Sequence, residues 1–427
     1  MILALACGEG SRNGDHEVRV EFWHAMGGPL GEYLEDTLIT EFNETHPGIE
    51  VVPVSMGNYR ALCQKILASV MADDPPVVAQ AYETWTSQLI RGEALVPLDS
   101  LMELDSPDIA ERWNSDFFSV FRRNNTYRGR IYSFPFNKSV QAIYYNKELM
   151  EHLGLSPPDT WESYRMVLDS LTLDGNGDGD LLDDSDRWGT AFDPGVGMFE
   201  NLLLQNGGAL LNSDSTRTAF NSPEGIEALQ LLIDLIHEDS SARISSGYTH
   251  QNDFLEGKVG LVQGSTVSMA FLESSIERME NSGEQVFTLG IAPLPAGRER
   301  AVIIAGTNVI LFRSGPEEIR AGWEFIKWFT EPEQQARWSA ATGYIPATSS
   351  SLSHPAVLEL FRKYPGLEDV MLQVEYAYFE PQGTFWYDGR MFLSEAVEIA
   401  LYGRMSAEEA LERAASLSDA ELESELD

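Results

Sequence analysis

The sequence predicts an α/β protein built as two lobes with a ligand cleft between them. Three observations carry this. The chain has 427 residues, too many for one hydrophobic core and suited to two packed lobes. Its N-terminal part alternates strand and helix patterns in the order β-α-β-α-β, the mark of an open sheet with mostly parallel strands. Patterns of the same style recur further on with different content, without a short-period repeat or a low-complexity block.

Glu17-Val18-Arg19-Val20-Glu21-Phe22-Trp23 alternates apolar and polar residues like a strand. Met26-Gly27-Gly28-Pro29-Leu30-Gly31 is a turn. Residues 32–45 place Tyr33, Leu34, Leu38, Ile39 and Phe42 at helical spacing, and His46-Pro47-Gly48 stops that helix. Ile49 to Val54 is a second strand, a helix follows from about Tyr59 to Ala72, and Pro75 to Ala81 is a third strand. Ligands of such sheets sit at the carboxyl ends of the strands, which here carry Trp23-His24, Gly57-Asn58-Tyr59 and Tyr82-Glu83. Further on, Thr160-Trp161 opens a helix and residues 223–237 form an amphipathic one. Lys258 to Val262 is a strand ending at Gly264-Ser265-Thr266. Ala301 to Phe312 is an apolar strand region interrupted by Gly306-Thr307-Asn308, and residues 318–341 and 391–414 read as helices.

Composition narrows the functional classes. Asp and Glu number 67 against 29 Lys and Arg, a formal charge of −38. Such a chain repels nucleic acid and anionic membrane surfaces, so neither is a partner. The seven His are scattered without metal-ligand spacing. There is no Gly-x-Ser-x-Gly elbow, phosphate-binding loop or dinucleotide fingerprint, so no catalytic residue is assigned. Cys63 lies in an apolar helical run and reads as a small buried hydrophobe. His24 reads as a core or hinge residue, and Trp161 and Trp188 as core.

The set Phe22-Trp23-His24, Phe42-Asn43-x-x-x-Pro47, Gly57-Asn58-Tyr59, Tyr82-Glu83, Pro135-Phe136-Asn137-Lys138-Ser139, Tyr144-Tyr145-Asn146-Lys147, Thr160-Trp161, Phe254-x-x-Gly257-Lys258-Val259-Gly260, Glu331-Pro332-Glu333 and Ala341-Thr342-Gly343-Tyr344-Ile345-Pro346 resembles family 1 of the extracellular solute-binding proteins of ABC importers. The resemblance runs from Val18 to about Ser416. Within that family the chain is most similar to binding proteins for sn-glycerol-3-phosphate and its diesters. The resemblance implies a two-lobed, type II periplasmic-binding-protein-like fold. It implies a monomer that closes over a small polar solute and passes it to membrane permease subunits. By the same resemblance, residues 17–138 plus 300–342 form one lobe and residues 139–299 plus 343–427 the other.

Carried over position by position, the family's pocket corresponds to Tyr59, Glu83, Ser139, Ser265 or Thr266, Gly306, Tyr344 and Arg390. These residue types suit a glycerol phosphate. Ionised Glu83 accepts from adjacent hydroxyls, and the planar donor fork of Arg390 matches phosphate oxygens. The tyrosines give a flat apolar face and a hydroxyl. Trp386, near Arg390 in sequence, is placed to stack on ligand or guanidinium. A Trp that the subfamily sets before its Glu-Asn pair has no counterpart ahead of Glu200-Asn201. An oligosaccharide is the alternative ligand, with stacking in place of Arg390. A secreted glycoside hydrolase is the alternative of a different class.

Two further features stand apart. Met1 to Gly8 resembles the end of a lipoprotein signal peptide, with Cys7 as the lipidated residue and the polar stretch up to residue 16 as a tether. The membrane is then reached only through that anchor. Asp174-Gly175-Asn176-Gly177-Asp178-Gly179-Asp180 resembles the start of a calcium loop spanning 174–186, with Asp186 one residue beyond the usual final acid. A structural Ca2+ is the only ion this sequence implies, and no cofactor is required.

Overall fold

The computed structural model describes residues 18–183 and 185–426. The Cys7 anchor, the tether and Asp184 lie outside the described residues. Two five-stranded sheets organise the chain. In the first, Ile49–Ser55, Val18–His24 and Val78–Ala81 run parallel, and Asn308–Leu311 pairs antiparallel between Val78–Ala81 and Ser133–Pro135. Along Val18–His24, Val20, Phe22 and His24 are fully buried while the intervening residues are partly exposed, as the period of a strand with one face on a core requires.

The second sheet is built from Leu289–Ala292, Gln141–Asn146, Val259–Ser265, Trp188–Phe192 and Ala242–Ile244 in that spatial order. Gln141–Asn146 is antiparallel to both of its neighbours, and the remaining pairs are parallel. In each sheet four of the five strands therefore run the same way, and one, Asn308–Leu311 or Gln141–Asn146, runs against them. A crossing chain segment returning directly from the other lobe enters each sheet antiparallel.

Several elements differ in extent from the sequence pattern, each for a local reason. The helix expected over 32–45 begins at Gly28, with Pro29 in its first turn, and contains a π-helical stretch over Tyr33–Ile39. The wider turn lets Leu34, Leu38 and Ile39 all reach the core. The stretch 318–341 is two helices, Pro316–Phe329 and Pro332–Thr342, because Pro332 cannot continue the first. The stretch 391–414 likewise resolves into Trp386–Leu401 and Ala407–Leu426, which pack against Pro223–His237 of the second lobe.

The lobes are joined where three chain passages meet in one ribbon. Ser139 and Ala305 exchange backbone hydrogen bonds of 3.0 and 2.9 Å, and the Ile345 N–H donates to Lys138 O at 2.7 Å. Val302–Ile303 pairs in parallel with Ala377–Tyr378, and the Ile304 N–H donates to Tyr378 O. The boundary placed at 342–343 is therefore too early for the last passage. Ala347 N–H donates to Gln335, Ser349 bonds Asp116, and only at Leu367–Leu372 does the chain pack on the second sheet. The segment that follows straddles both lobes. Ser87 Oγ donates to Gln382 O, Gln382 Nε2 donates to Asn124 O, and Arg91 pairs with Glu425.

Gly306 sits in this ribbon with φ of +98°, and a Cβ there would lie 1.9 Å from Asn137 O. No side chain fits without moving the crossing strands. Gly306→Ala is expected to cost about 2 kcal/mol or more of stability, from backbone strain and the clash together. Urea unfolding checks this; an unchanged midpoint would show that the ribbon gives way there.

Candidate functional site

A cavity of about 450 Å³ opens beside the connecting ribbon and is walled by both lobes. The first lobe contributes Arg60, Tyr82, Glu83, Thr84 and Trp85. These stand just past the strands Ile49–Ser55 and Val78–Ala81, where an open α/β sheet leaves its carboxyl-end crevice. Ile304, Ala305 and Gly306 form the ribbon wall, and Glu380, Trp386, Tyr387 and Arg390 face them from the other side. Of the residues singled out in the sequence, Glu83, Gly306, Trp386 and Arg390 thus line one cavity.

Tyr59 and Tyr344 are joined beside it by a buried polar network. Asn137 Nδ2 donates to Tyr59 Oη at 2.9 Å and to Tyr344 Oη at 3.1 Å. Asn137 Oδ1 accepts from the Thr307 N–H at 2.8 Å and from Thr307 Oγ1 at 2.6 Å. A backbone N–H can only donate, so the orientation of the Asn137 amide follows from its partners. Gln80 Nε2 extends the network to Thr307 Oγ1. Burial raises the pKa of both tyrosines, so each keeps its phenolic proton. A phenol that accepts from Asn137 still has that proton to donate.

Glu83 is differently placed from the sequence expectation. Lys138, only 1% exposed, donates to Glu83 Oε1 at 2.9 Å and to Gly306 O at 3.1 Å. Asn308 Nδ2 donates to the same Oε1 at 3.1 Å. One carboxylate oxygen is therefore engaged by the protein, and Oε2 has no hydrogen-bond partner among the described residues. Burial lowers the Lys138 pKa, and the nearby Glu83 charge works against that shift.

The second-lobe wall holds another pair. Arg390 Nε contacts the Glu380 carboxylate at 2.9–3.0 Å. Desolvation lowers the Arg390 pKa, but the charges of Glu380 and then Glu200 outweigh it and raise it above the usual value. Trp386 is 1% exposed and donates its indole N–H to Glu380 at 2.8 Å. Its ring is packed against Phe220 and Phe385, so it orients Glu380 rather than offering the free stacking face expected of it. The exposed ring beside it is Tyr387. Glu200 lies behind this wall, fully buried, with neither carboxylate oxygen hydrogen-bonded among the described residues. Its pKa is pushed well above the carboxylate range by burial first and by the charge of Glu380 second, partly offset by Arg390.

The remaining candidates sit at the lobe junction. Ser139 is part of the ribbon. Tyr144 Oη donates to Ser265 O, and Ser265 Oγ accepts from the Val267 N–H. Thr266 is fully buried, its Oγ1 lacks a partner among the described residues, and its carbonyl comes against Gly343. Neither Ser139, Ser265 nor Thr266 lines the 450 Å³ cavity. His24 is buried, with its pKa lowered to about 4 by desolvation, as suits a core residue.

In the loop 174–186 the carboxylates cap the loop's own backbone. Asp174 accepts from Gly177 and Gly179, and Asp186 from Gly175 and Asp183. The Asp178 N–H donates to Asn176 and the Asp180 N–H to Asp178. Among the described residues no group of three or more His, Cys, Asp or Glu is disposed to hold a metal ion.

This cleft between two mixed sheets, crossed by three passages, defines a two-lobed periplasmic-binding-protein fold. Residues 37–367 match the family model of the bacterial extracellular solute-binding proteins, and the chain belongs to that family. It is 26% identical over 371 residues to the sn-glycerol-3-phosphate-binding periplasmic protein UgpB of Yersinia pseudotuberculosis, covering 84% of this chain and 80% of that protein. Against UgpB of Pectobacterium atrosepticum the identity is 24%, over 82% of this chain and 78% of the other. Among solved structures, UgpB from Mycobacterium tuberculosis in complex with glycerophosphocholine superposes with a TM-score of 0.80 at 20% identity, over 96% of this chain and 99% of that one. The cyclic alpha-maltosyl-1,6-maltose binding protein of Arthrobacter globiformis gives 0.77 at 24%, over 95% and 99%. The chain is thus a substrate-binding protein of an ABC importer, in a family of solute-binding proteins rather than enzymes. Among the described residues no helix is long and apolar enough to cross a membrane.

Two expectations arise from these pairs. Lys138→Met strands the Glu83 carboxylate and should cost about 3 kcal/mol, whereas the double variant Lys138→Met/Glu83→Leu should recover much of it. Urea midpoints of the three proteins decide the matter, and a wild-type midpoint for Lys138→Met would deny the pair its role. For Glu200 the folded pKa lies above the unfolded one. Its contribution is complete below the unfolded pKa near 4.5 and is lost as pH rises through the folded value. Glu200→Gln should therefore raise the melting temperature more at pH 8 than at pH 5, as scanning calorimetry at the two pH values would show.

Proposed function

We propose that the cleft captures sn-glycerol-3-phosphate or a glycerophosphodiester for import. The observation that carries this reading is the charge balance of the cavity. Glu83 is paired with Lys138, Glu380 with Arg390, and burial shifts Glu200, behind the wall, toward its protonated form. Arg60 lines the same cavity without a charged partner among the described residues. With Lys138 counted behind the wall, the three cations Arg60, Arg390 and Lys138 exceed the two carboxylates Glu83 and Glu380, inside a chain of formal charge −38. A neutral sugar has no use for such an excess, while a phosphate does.

In this reading the glycerol hydroxyls face Glu83 Oε2 and the two tyrosine hydroxyls. The phosphate lies toward the arginines, away from Glu83. Because the walls come from both lobes, a ligand touching both has more contacts in the closed form, and that difference drives closure. The relatives named for sn-glycerol-3-phosphate support this ligand class.

The oligosaccharide reading has one observation of its own, the exposed ring of Tyr387 on the cavity wall. Isothermal titration with sn-glycerol 3-phosphate, glycerophosphocholine, maltose and trehalose separates the two. Saturable heat with only the phosphate-bearing compounds is the expected result. Heat with only the sugars would leave a solute receptor but overturn the phosphate ligand. Product formation from any of them would overturn the receptor reading itself.

A further inference from the structure

We propose that Arg60 contacts the phosphate directly, and that the anion is shared across the cleft between Arg60 of the first lobe and Arg390 of the second. This rests on the phosphate-bearing ligand proposed above and adds the residue that reads it. Arg60 stands in the first turn of the helix Tyr59–Met71, directly after Tyr59. Its side chain is exposed into the cavity and has neither ion pair nor hydrogen bond among the described residues. In a chain with 67 acidic residues, an exposed arginine left without a carboxylate is available to an incoming anion.

Arg390 is less available. Its Nε is already engaged by Glu380, which Trp386 holds in place. A phosphate approaching Arg390 alone meets the Glu380 charge at the same guanidinium. Arg60 has no such competitor.

The two guanidiniums come from different lobes and line one cavity, so without ligand their like charges oppose approach of the lobes. A dianionic phosphate between them reverses the sign of that interaction. The anion then acts as the link that favours the closed form, because only there does it touch both arginines. A neutral ligand of the same size would not supply this link.

The test uses the whole protein and sn-glycerol 3-phosphate. Affinity of wild type, Arg60→Gln and Arg60→Lys is measured by titration calorimetry at low and high salt. Lobe separation with and without ligand is followed by a pair of spin labels, one on each lobe. Arg60→Gln should weaken binding about ten- to a hundredfold, as expected for a lost charged hydrogen bond, and should flatten the salt dependence. It should reduce closure at equal occupancy, while the melting temperature without ligand stays unchanged. Arg60→Lys should restore the salt dependence and part of the affinity. Wild-type-like affinity and closure in Arg60→Gln, with wild type binding glycerol phosphate, overturns the role of Arg60 and leaves the ligand reading intact. Failure of wild type itself to bind any phosphate-bearing compound overturns both.

Discussion

The amide of Asn137 is the contact on which the site depends. It is 1% exposed; its oxygen accepts twice from Thr307, and its nitrogen faces Tyr59 Oη, Tyr344 Oη and, at 3.6 Å, Met26 Sδ. Its oxygen ties the strand leaving the first lobe to the returning passage at Thr307. Its nitrogen sets the hydroxyls of Tyr59 and Tyr344, which come from segments far apart in the chain. A neutral amide suits this position because it donates and accepts at once. An isosteric aspartate would leave the two phenols without a donor and add a buried charge. The next residues continue the arrangement, since Lys138 holds Glu83 and Ser139 forms the bridge between lobes. A single short stretch therefore aligns the cleft and provides the crossing about which the lobes can turn.

The cavity also shows how a strongly acidic protein can keep its cleft from being acidic. Local charge is managed pair by pair rather than by overall composition. Each carboxylate on the wall is matched by a cation, and burial shifts Glu200 behind it toward its protonated form. Burying such pairs costs desolvation that their attraction only partly offsets, so they are poor devices for stability alone. Their value here is placement, because a paired Glu83 has one oxygen directed by Lys138 and Asn308 and one left free. The unpaired arginine is what remains after this matching.

Part of the residue set carried over from the family resemblance comes together in the fold. Tyr59, Glu83, Gly306, Tyr344 and Arg390 all fall at or beside the cavity. Residues whose role depends on a distant partner were not legible in the same way. Lys138 reads in the sequence as one residue of a Pro-Phe-Asn-Lys-Ser run, and nothing local says that its ammonium reaches Glu83, 55 positions earlier. Trp386 was readable as an aromatic near Arg390, but its burial against Phe220 is a tertiary fact. Arg60 follows a recognisable Tyr, and only the missing partner makes it notable. An unpaired charge is a property of surroundings, which no window of sequence contains.

What the sequence by itself determined is the alternation of elements, their approximate extents, the family and the residue types available at the strand ends. These follow from periodicity and from turn residues, which act over a few positions. The tertiary structure decided the antiparallel entry of each crossing strand, the π-helical turn at Tyr33–Ile39 and the late return of the last passage to the second lobe. It also decided which carboxylates are paired, which is buried without a partner among the described residues and which arginine is free. The physical reason is range. Propensity and patterning act between neighbours in the chain, whereas desolvation and ion pairing depend on what folding brings within a few ångströms.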